Sequence, residues 1–279
     1  GEGIKMAVRN NECLVSLILC IAMGGFPLAV YAAGVPAVLP DPDGEPAPPR
    51  KVQVFILSGQ SNMCGMGVPD SIKGLANEKE FGYLVDDNGG WTKRNDAYYV
   101  FYSQGKPNRT REGWVSAVVN GHRVGPEGAI GHILGHYLDE PVLLIKVACG
   151  NRSLAHDVCP PTSRKRLGKD GQTGRYCCGF CYDRWFNRAK EVCKDIGSHY
   201  PGYKGQGFEV AGFFWWQGHK DRGSSKQNYE ALLADLINDL RKDFNAPKAP
   251  FVVATVGFSG MSLGAWKGVW EAQMAGGDP

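Results

Sequence analysis

The sequence predicts a three-layer α/β/α sandwich built on a mainly parallel sheet. Two observations point there: several short, nearly continuous apolar runs, and amphipathic helical patterns between them. A third is the glycine count, 38 of 279 residues, which suits many tight strand-to-helix turns. Strands that are apolar without alternation are covered on both faces, and the helices between them supply the cover.

Four runs read as buried strands: Val52–Ser58, Val142–Ala148, Val210–Trp216 and Phe251–Val256. Ile130, Ile133, Leu134, Tyr137 and Leu138 fall on one face of a helix that opens with Pro126 in its first turn. Trp185, Phe186, Ala189, Val192 and Cys193 mark a second helix. Leu232, Leu233, Leu236, Ile237, Leu240 and Phe244 mark a third, with Arg241 and Lys242 in its last turn and Asn245 and Pro247 as the stop. In such sheets the functional site lies at the carboxyl ends of the strands.

The chain divides into three parts. Residues 6–32 run from Met6 through an apolar stretch, Cys13 to Val30, to small residues at Val30 and Ala32, the layout of a secretory signal peptide cleaved after Ala32. The apolar stretch contains Gly24, Gly25 and Pro27 and barely reaches the length of a membrane span, so no stable membrane insertion is expected after cleavage. Residues 33–50 hold six prolines and read as an extended linker. The folded domain occupies residues 51–279. Secretion or a periplasmic location follows as the expectation. The formal net charge of +3 gives no reason to expect a nucleic-acid partner.

Seven of the nine cysteines lie beyond the signal segment. Cys178 and Cys181 form a CxxC in what reads as a polar, glycine-rich loop, without the second pair a zinc knuckle needs. A local disulfide, reaching Cys159 or Cys193, is the better expectation. His132 and His136 are four apart on one helix but lack the glutamate of a metalloprotease, and they read as surface histidines. Arg164, Lys165, Arg166 and Lys169 read as a solvated basic loop. No metal or organic cofactor is implied.

The chemistry concentrates at two strand ends. The first strand runs into Gly59-Gln60-Ser61-Asn62-Met63, where a serine on a tight turn would expose its hydroxyl at the sheet edge and aim its N–H at the same point. The third ends in Trp215-Trp216-Gln217-Gly218-His219-Lys220-Asp221, with Gln217 the first polar side chain after an apolar run. Trp215 and Trp216 read as core, with one of them able to line the site.

Together these segments resemble the SGNH hydrolases, a flavodoxin-like fold. The closer likeness is to sialate O-acetylesterase-like proteins and acetylxylan esterases (carbohydrate esterase family 6). Gly59–Met63 matches that branch's nucleophile block, and Trp215–Gly218 with Asp221 its later block. The resemblance implies a serine esterase that releases acetate from acetylated sugars such as acetylxylan or O-acetyl sialic acid. It implies Ser61 as nucleophile, and its own N–H, the Gln217 amide and a glycine N–H as oxyanion donors. Gly125, just before Pro126, is the expected glycine, with Gly150 as competitor. Gln60, Asn62, His219 and Asp221 are the expected substrate-side residues.

The resemblance also implies a general base from an Asp-x-x-His pattern near the C-terminus. No aspartate here is followed by histidine three residues later, so the base pair is expected beyond residue 279, and the chain without it is expected to be inactive. His219 is the one substitute base the sequence offers. A non-catalytic carbohydrate-binding relative, and an esterase of non-sugar esters, are the alternative readings.

Overall fold

β1 (Val52–Gly59) is buried along its whole length, and its alternate residues feed two cores: Val52, Val54 and Ile56 on one face, Phe55 and Leu57 on the other. The structure, a computed structural model, describes residues 50–118, 123–174, 176–257 and 264–275. The expected signal peptide (6–32), and the linker (33–50) except Arg50, lie outside the described residues. After β1 come α1 (Ser61–Cys64), α2 (Pro69–Leu75), β2 (Lys93–Ser103), β3 (Thr110–Ser116), α3 (Pro126–Tyr137) and β4 (Val142–Ala148). There follow α4 (Pro161–Arg166), α5 (Phe180–Lys194), α6 (Ile196–His199), β5 (Phe208–Trp216), α7 (Lys226–Asp243), β6 (Phe251–Val253) and α8 (Lys267–Ala275).

The strands form one sheet in the order β3-β2-β4-β1-β5-β6. Every neighbouring pair is parallel except β2 and β3, which are antiparallel. The fold is therefore the α/β sandwich with a mainly parallel sheet that the sequence predicts. β1 lies between β4 and β5, with Gly59 opposite both Ala148 and Trp216. Three carboxyl ends are thus level with one another. α3 packs Ile130 and Leu134 against one face of the sheet. α5 and α7 cover the other with Trp185, Phe186, Leu232 and Leu236. Ser225 caps α7 by accepting the Asn228 N–H at 3.2 Å, and Asn245, at φ 50°, ends it in a left-handed turn.

Several local expectations change. β2 and β3 are two strands that the sequence reading did not anticipate, and β6 ends three residues early, at Val253. Arg164–Arg166 belong to the short helix α4, not a solvated loop: Arg164 makes a two-pronged bond to Asp183 at 2.7 and 2.8 Å, and Arg166 reaches Asp235 at 2.8 Å. Cys181 lies in α5 and is buried, as is Cys178 just before it. His132 is a core residue, only 1% exposed, because a second layer lies outside α3. There its ring meets Tyr83 edge-on at 5.5 Å, and its carbonyl accepts from the buried Arg94 guanidinium at 3.1 Å. No described helix is long and apolar enough to cross a membrane.

Candidate active site

β1 ends on a glycine for a steric reason. Gly59 has φ 152°, and a Cβ there would run into the carbonyl oxygen of Trp216. The Gln60 N–H donates to that same oxygen at 3.0 Å, so β1 and β5 stay joined through the turn. Ser61 follows at once as the first residue of α1, where a helix start leaves backbone N–H groups without intrahelical partners. The end of β5 supplies the facing wall, where Gly218 at φ 145° lets the chain turn into a single 3-10 turn, His219–Asp221.

Gln60, Ser61, Asn62, Trp216, Gln217, Gly218 and His219, with Val256 and Gly257 after β6, line a pocket of about 140 Å³. It opens at the carboxyl ends of β1, β5 and β6, where an α/β sheet places its ligands. Ser61 is half-buried, and Asn62 and His219 are exposed at the rim. The His219 ring lies 5.2 Å from that of Trp266, whose indole N–H donates to the His219 carbonyl at 2.9 Å. Trp215 turns into the core, whereas Trp216 is half-buried on the pocket.

Beneath the pocket lies a polar network centred on Gln217, which is 1% exposed. Its Nε2 faces Asp221 Oδ2 at 2.5 Å, the Arg152 carbonyl at 2.8 Å and Gln60 Oε1 at 3.2 Å. Its Oε1 accepts from the Tyr229 hydroxyl at 2.8 Å, and its carbonyl from Gln273 Nε2 at 2.6 Å. An amide nitrogen carries two hydrogens, so three acceptors already share them. Gln217 thus lines the pocket and at the same time ties together the loops after β1, β4 and β5.

Asp221 belongs to the same network. It is buried and off the pocket, accepting the N–H groups of Leu154 and Ala155 at 2.8 and 3.0 Å. Burial holds its carboxyl above the ordinary range, against the lowering effect of those N–H groups and the Gln217 amide. Its neighbour Asp157 goes the other way. Burial raises it, but the Ser153 N–H and hydroxyl and the Arg152 guanidinium together hold it below the usual value.

Gly125 does not line the pocket. It precedes α3 and packs against Gly65, at the far end of α1 from Ser61: a Cβ on Gly65 would lie 3.2 Å from Gly125 N. Gly150 does not line it either, and is exposed after β4. Under α1 lies Lys146, fully buried, 2.6 Å from Glu127 Oε1 and 3.3 Å from the Cys64 carbonyl, over the Phe101 ring at 4.2 Å. Burial pushes the Cys64 thiol up to about 11, with Lys146 opposing. Among the described residues no group of three or more His, Cys, Asp or Glu is placed to hold a metal ion.

Residues 51–277 match the family described as carbohydrate esterase, sialic acid-specific acetylesterase. The chain belongs to that family. The family's reaction class is carboxylic ester hydrolysis on a carbohydrate. Among solved structures the chain is similar to a protein from Arabidopsis thaliana, at 20% identity over 81% of each chain, TM-score 0.49. It is also similar to a carbohydrate acetylesterase from Xanthomonas citri, at 14% identity over 80% of this chain and 47% of that one, TM-score 0.47. NanS is a third, at 14% identity over 81% and 73%, TM-score 0.40. No curated protein gives a significant match.

In this carbohydrate esterase, sequence reasoning missed Tyr229, Arg152 and Gln273, which hold Gln217 in place. Tyr229 left a signal: it is a hydroxyl-bearing residue in the apolar stripe of α7 that continues through Leu232, Leu236 and Leu240. The other two left none.

Proposed function

We propose that Ser61 is the nucleophile of an esterase that, together with the general base the family resemblance implies, releases acetate from an acetylated carbohydrate such as acetylxylan or O-acetyl sialic acid. One observation carries the reading: Ser61 lines the pocket at the carboxyl end of β1, on a turn that Gly59 makes possible. Ser61 Oγ attacks the acetyl carbonyl carbon, and its proton passes to a base of the Asp-x-x-His kind that the family resemblance implies. The Ser61 N–H, at the start of α1, faces the developing oxyanion. The sugar hydroxyl leaves, and water then hydrolyses the acetyl-serine to acetate. Asn62 and His219 contact the sugar from the rim, and the buried Gln60 lines the pocket beneath them. Gln217 contributes by holding the pocket walls in place. A pocket of about 140 Å³ suits a short acyl group better than a long one. Secretion or a periplasmic location, where polysaccharide is met, completes the reading.

The test is acetate release from acetylated xylan, from O-acetylated sialic acid and from a long-chain aryl ester, by the protein with its general base in place and by that same protein carrying Ser61→Ala. Turnover of an acetylated sugar that falls roughly 10³-fold or more in the variant supports the reading. Undiminished turnover by Ser61→Ala removes Ser61 from the chemistry. Preference for the long-chain ester removes the sugar, and binding of acetylated oligosaccharide without turnover points to a non-catalytic carbohydrate-binding protein.

A further inference from the structure

Five cysteines, Cys149, Cys159, Cys178, Cys181 and Cys193, belong to one buried core on the α5 side of the sheet. Two of them sit where separate segments are clamped together. Cys159 lies at the end of the loop that leaves β4, and Cys178 stands two residues before α5. The Gly179 N–H donates to the His156 carbonyl at 2.7 Å, and the Cys181 N–H to the Asp157 carbonyl, also at 2.7 Å. These bonds hold the backbone just after Cys178 against the turn that carries Cys159. Neither side chain reaches solvent: Cys159 is 0% exposed and Cys178 is 1% exposed. Burial pushes the Cys159 thiol up to about 12, and the neighbouring Cys178 thiol adds to the rise. Both sulfurs are thiols in this structure. A buried thiol with so high a pKa is a poor nucleophile, so Cys159 is not suited to act on a substrate in the folded protein.

We propose that Cys159 and Cys178 are a disulfide pair, joined when the chain folds in the presence of a disulfide donor. The two thiols together give up two protons and two electrons and form one S–S bond. The donor, oxidised glutathione or a dithiol oxidoreductase in its disulfide form, takes them up and leaves as two thiols. The bond closes residues 160–177 into a loop that contains α4. It also braces the pocket from behind. The segment it anchors supplies the Arg152 carbonyl to Gln217 and the Leu154 and Ala155 N–H groups to Asp221.

The test is to unfold and reduce the whole chain, refold it with oxidised and reduced glutathione, alkylate it, and digest with trypsin without reductant. Cys159 is the sole cysteine of the peptide Ser153–Arg164, and Cys178 falls on Tyr176–Arg184 with Cys177 and Cys181. The expected result is these two peptides joined, separable by dithiothreitol, with the link lost in Cys178→Ser and kept in Cys177→Ser and Cys181→Ser. The refolded oxidised protein should also melt roughly 5–10 °C above the reduced one. Recovery of Ser153–Arg164 alkylated at Cys159, or joined to a cysteine other than Cys178, overturns the assignment.

Discussion

The side-chain amide of Gln217 donates to the carbonyl oxygen of Arg152 at 2.8 Å, fastening the turn after β5 to the loop after β4. The same amide serves Asp221 and Gln60 and accepts from Tyr229. Removing it strands several buried polar groups at once. Gln217→Leu should therefore lower stability by about 2–4 kcal/mol, measured by urea unfolding, and reduce acetate release with it. A change below about 0.5 kcal/mol would mean that the network does not hold the pocket walls.

Gly59 should tolerate no side chain. At φ 152° an L-residue is strained, and its Cβ would meet the Trp216 carbonyl, which is backbone and cannot swing aside. Gly59→Ala should cost about 2–4 kcal/mol and displace Ser61. Thermal unfolding reads the first effect. Labelling of Ser61 by a fluorophosphonate reads the second, and an unchanged labelling rate in folded variant would show that the turn does not set the position of Ser61.

What the sequence made legible is what a continuous apolar run or a tight local turn dictates. β1 and β4 are buried along their whole length and β5 from Gly212 to Trp215, so their composition alone marks them, and the Gly59–Ser61 turn needs no distant partner to specify it. β2 is hidden because it opens with Lys93, Arg94, Asn95 and Asp96. Arg94 and Asp96 are nonetheless buried, since they neutralise each other through two bonds of 2.6 Å. β3 is an edge strand with Arg111 and Glu112 exposed, so no apolar run marks it. The direction of the Gln217 amide depends on Arg152, Tyr229 and Asp221, which three separate segments deliver. No local pattern encodes that.

His132 should make the fold sensitive to mild acid. Burial first, and the Arg94 charge second, lower its pKa from 6.5 to about 3, and its Nε2 is buried without a hydrogen-bond partner. The unfolded chain therefore binds a proton near pH 6.5 that the folded chain refuses until about pH 3. Stability from this residue is complete above pH 6.5 and falls as pH drops through that window, by up to about 1.4 kcal/mol per pH unit. Urea midpoints at pH 7 and pH 5 should differ for the wild type and differ less for His132→Leu. An equal pH dependence in both would show that another group governs the acid response.

Lys146 and Glu127 should be mutually dependent. The ammonium is fully buried, its closest partner is Glu127 Oε1 at 2.6 Å, and it reaches the Cys64 carbonyl at the end of the helix that Ser61 opens. Glu127 already leaves Oε2 buried and unpartnered, so it has no second cation to turn to among the described residues. Lys146→Met should leave an uncompensated buried carboxylate and cost about 3–5 kcal/mol. Adding Glu127→Leu removes that charge, and the double variant should recover most of the loss, because a buried ion pair replaced by apolar residues of similar size is often neutral. The two single variants and the double variant form a cycle whose coupling energy is read from urea unfolding. A coupling near zero would mean that the two charges are stabilised independently, and that the pair does not support α1.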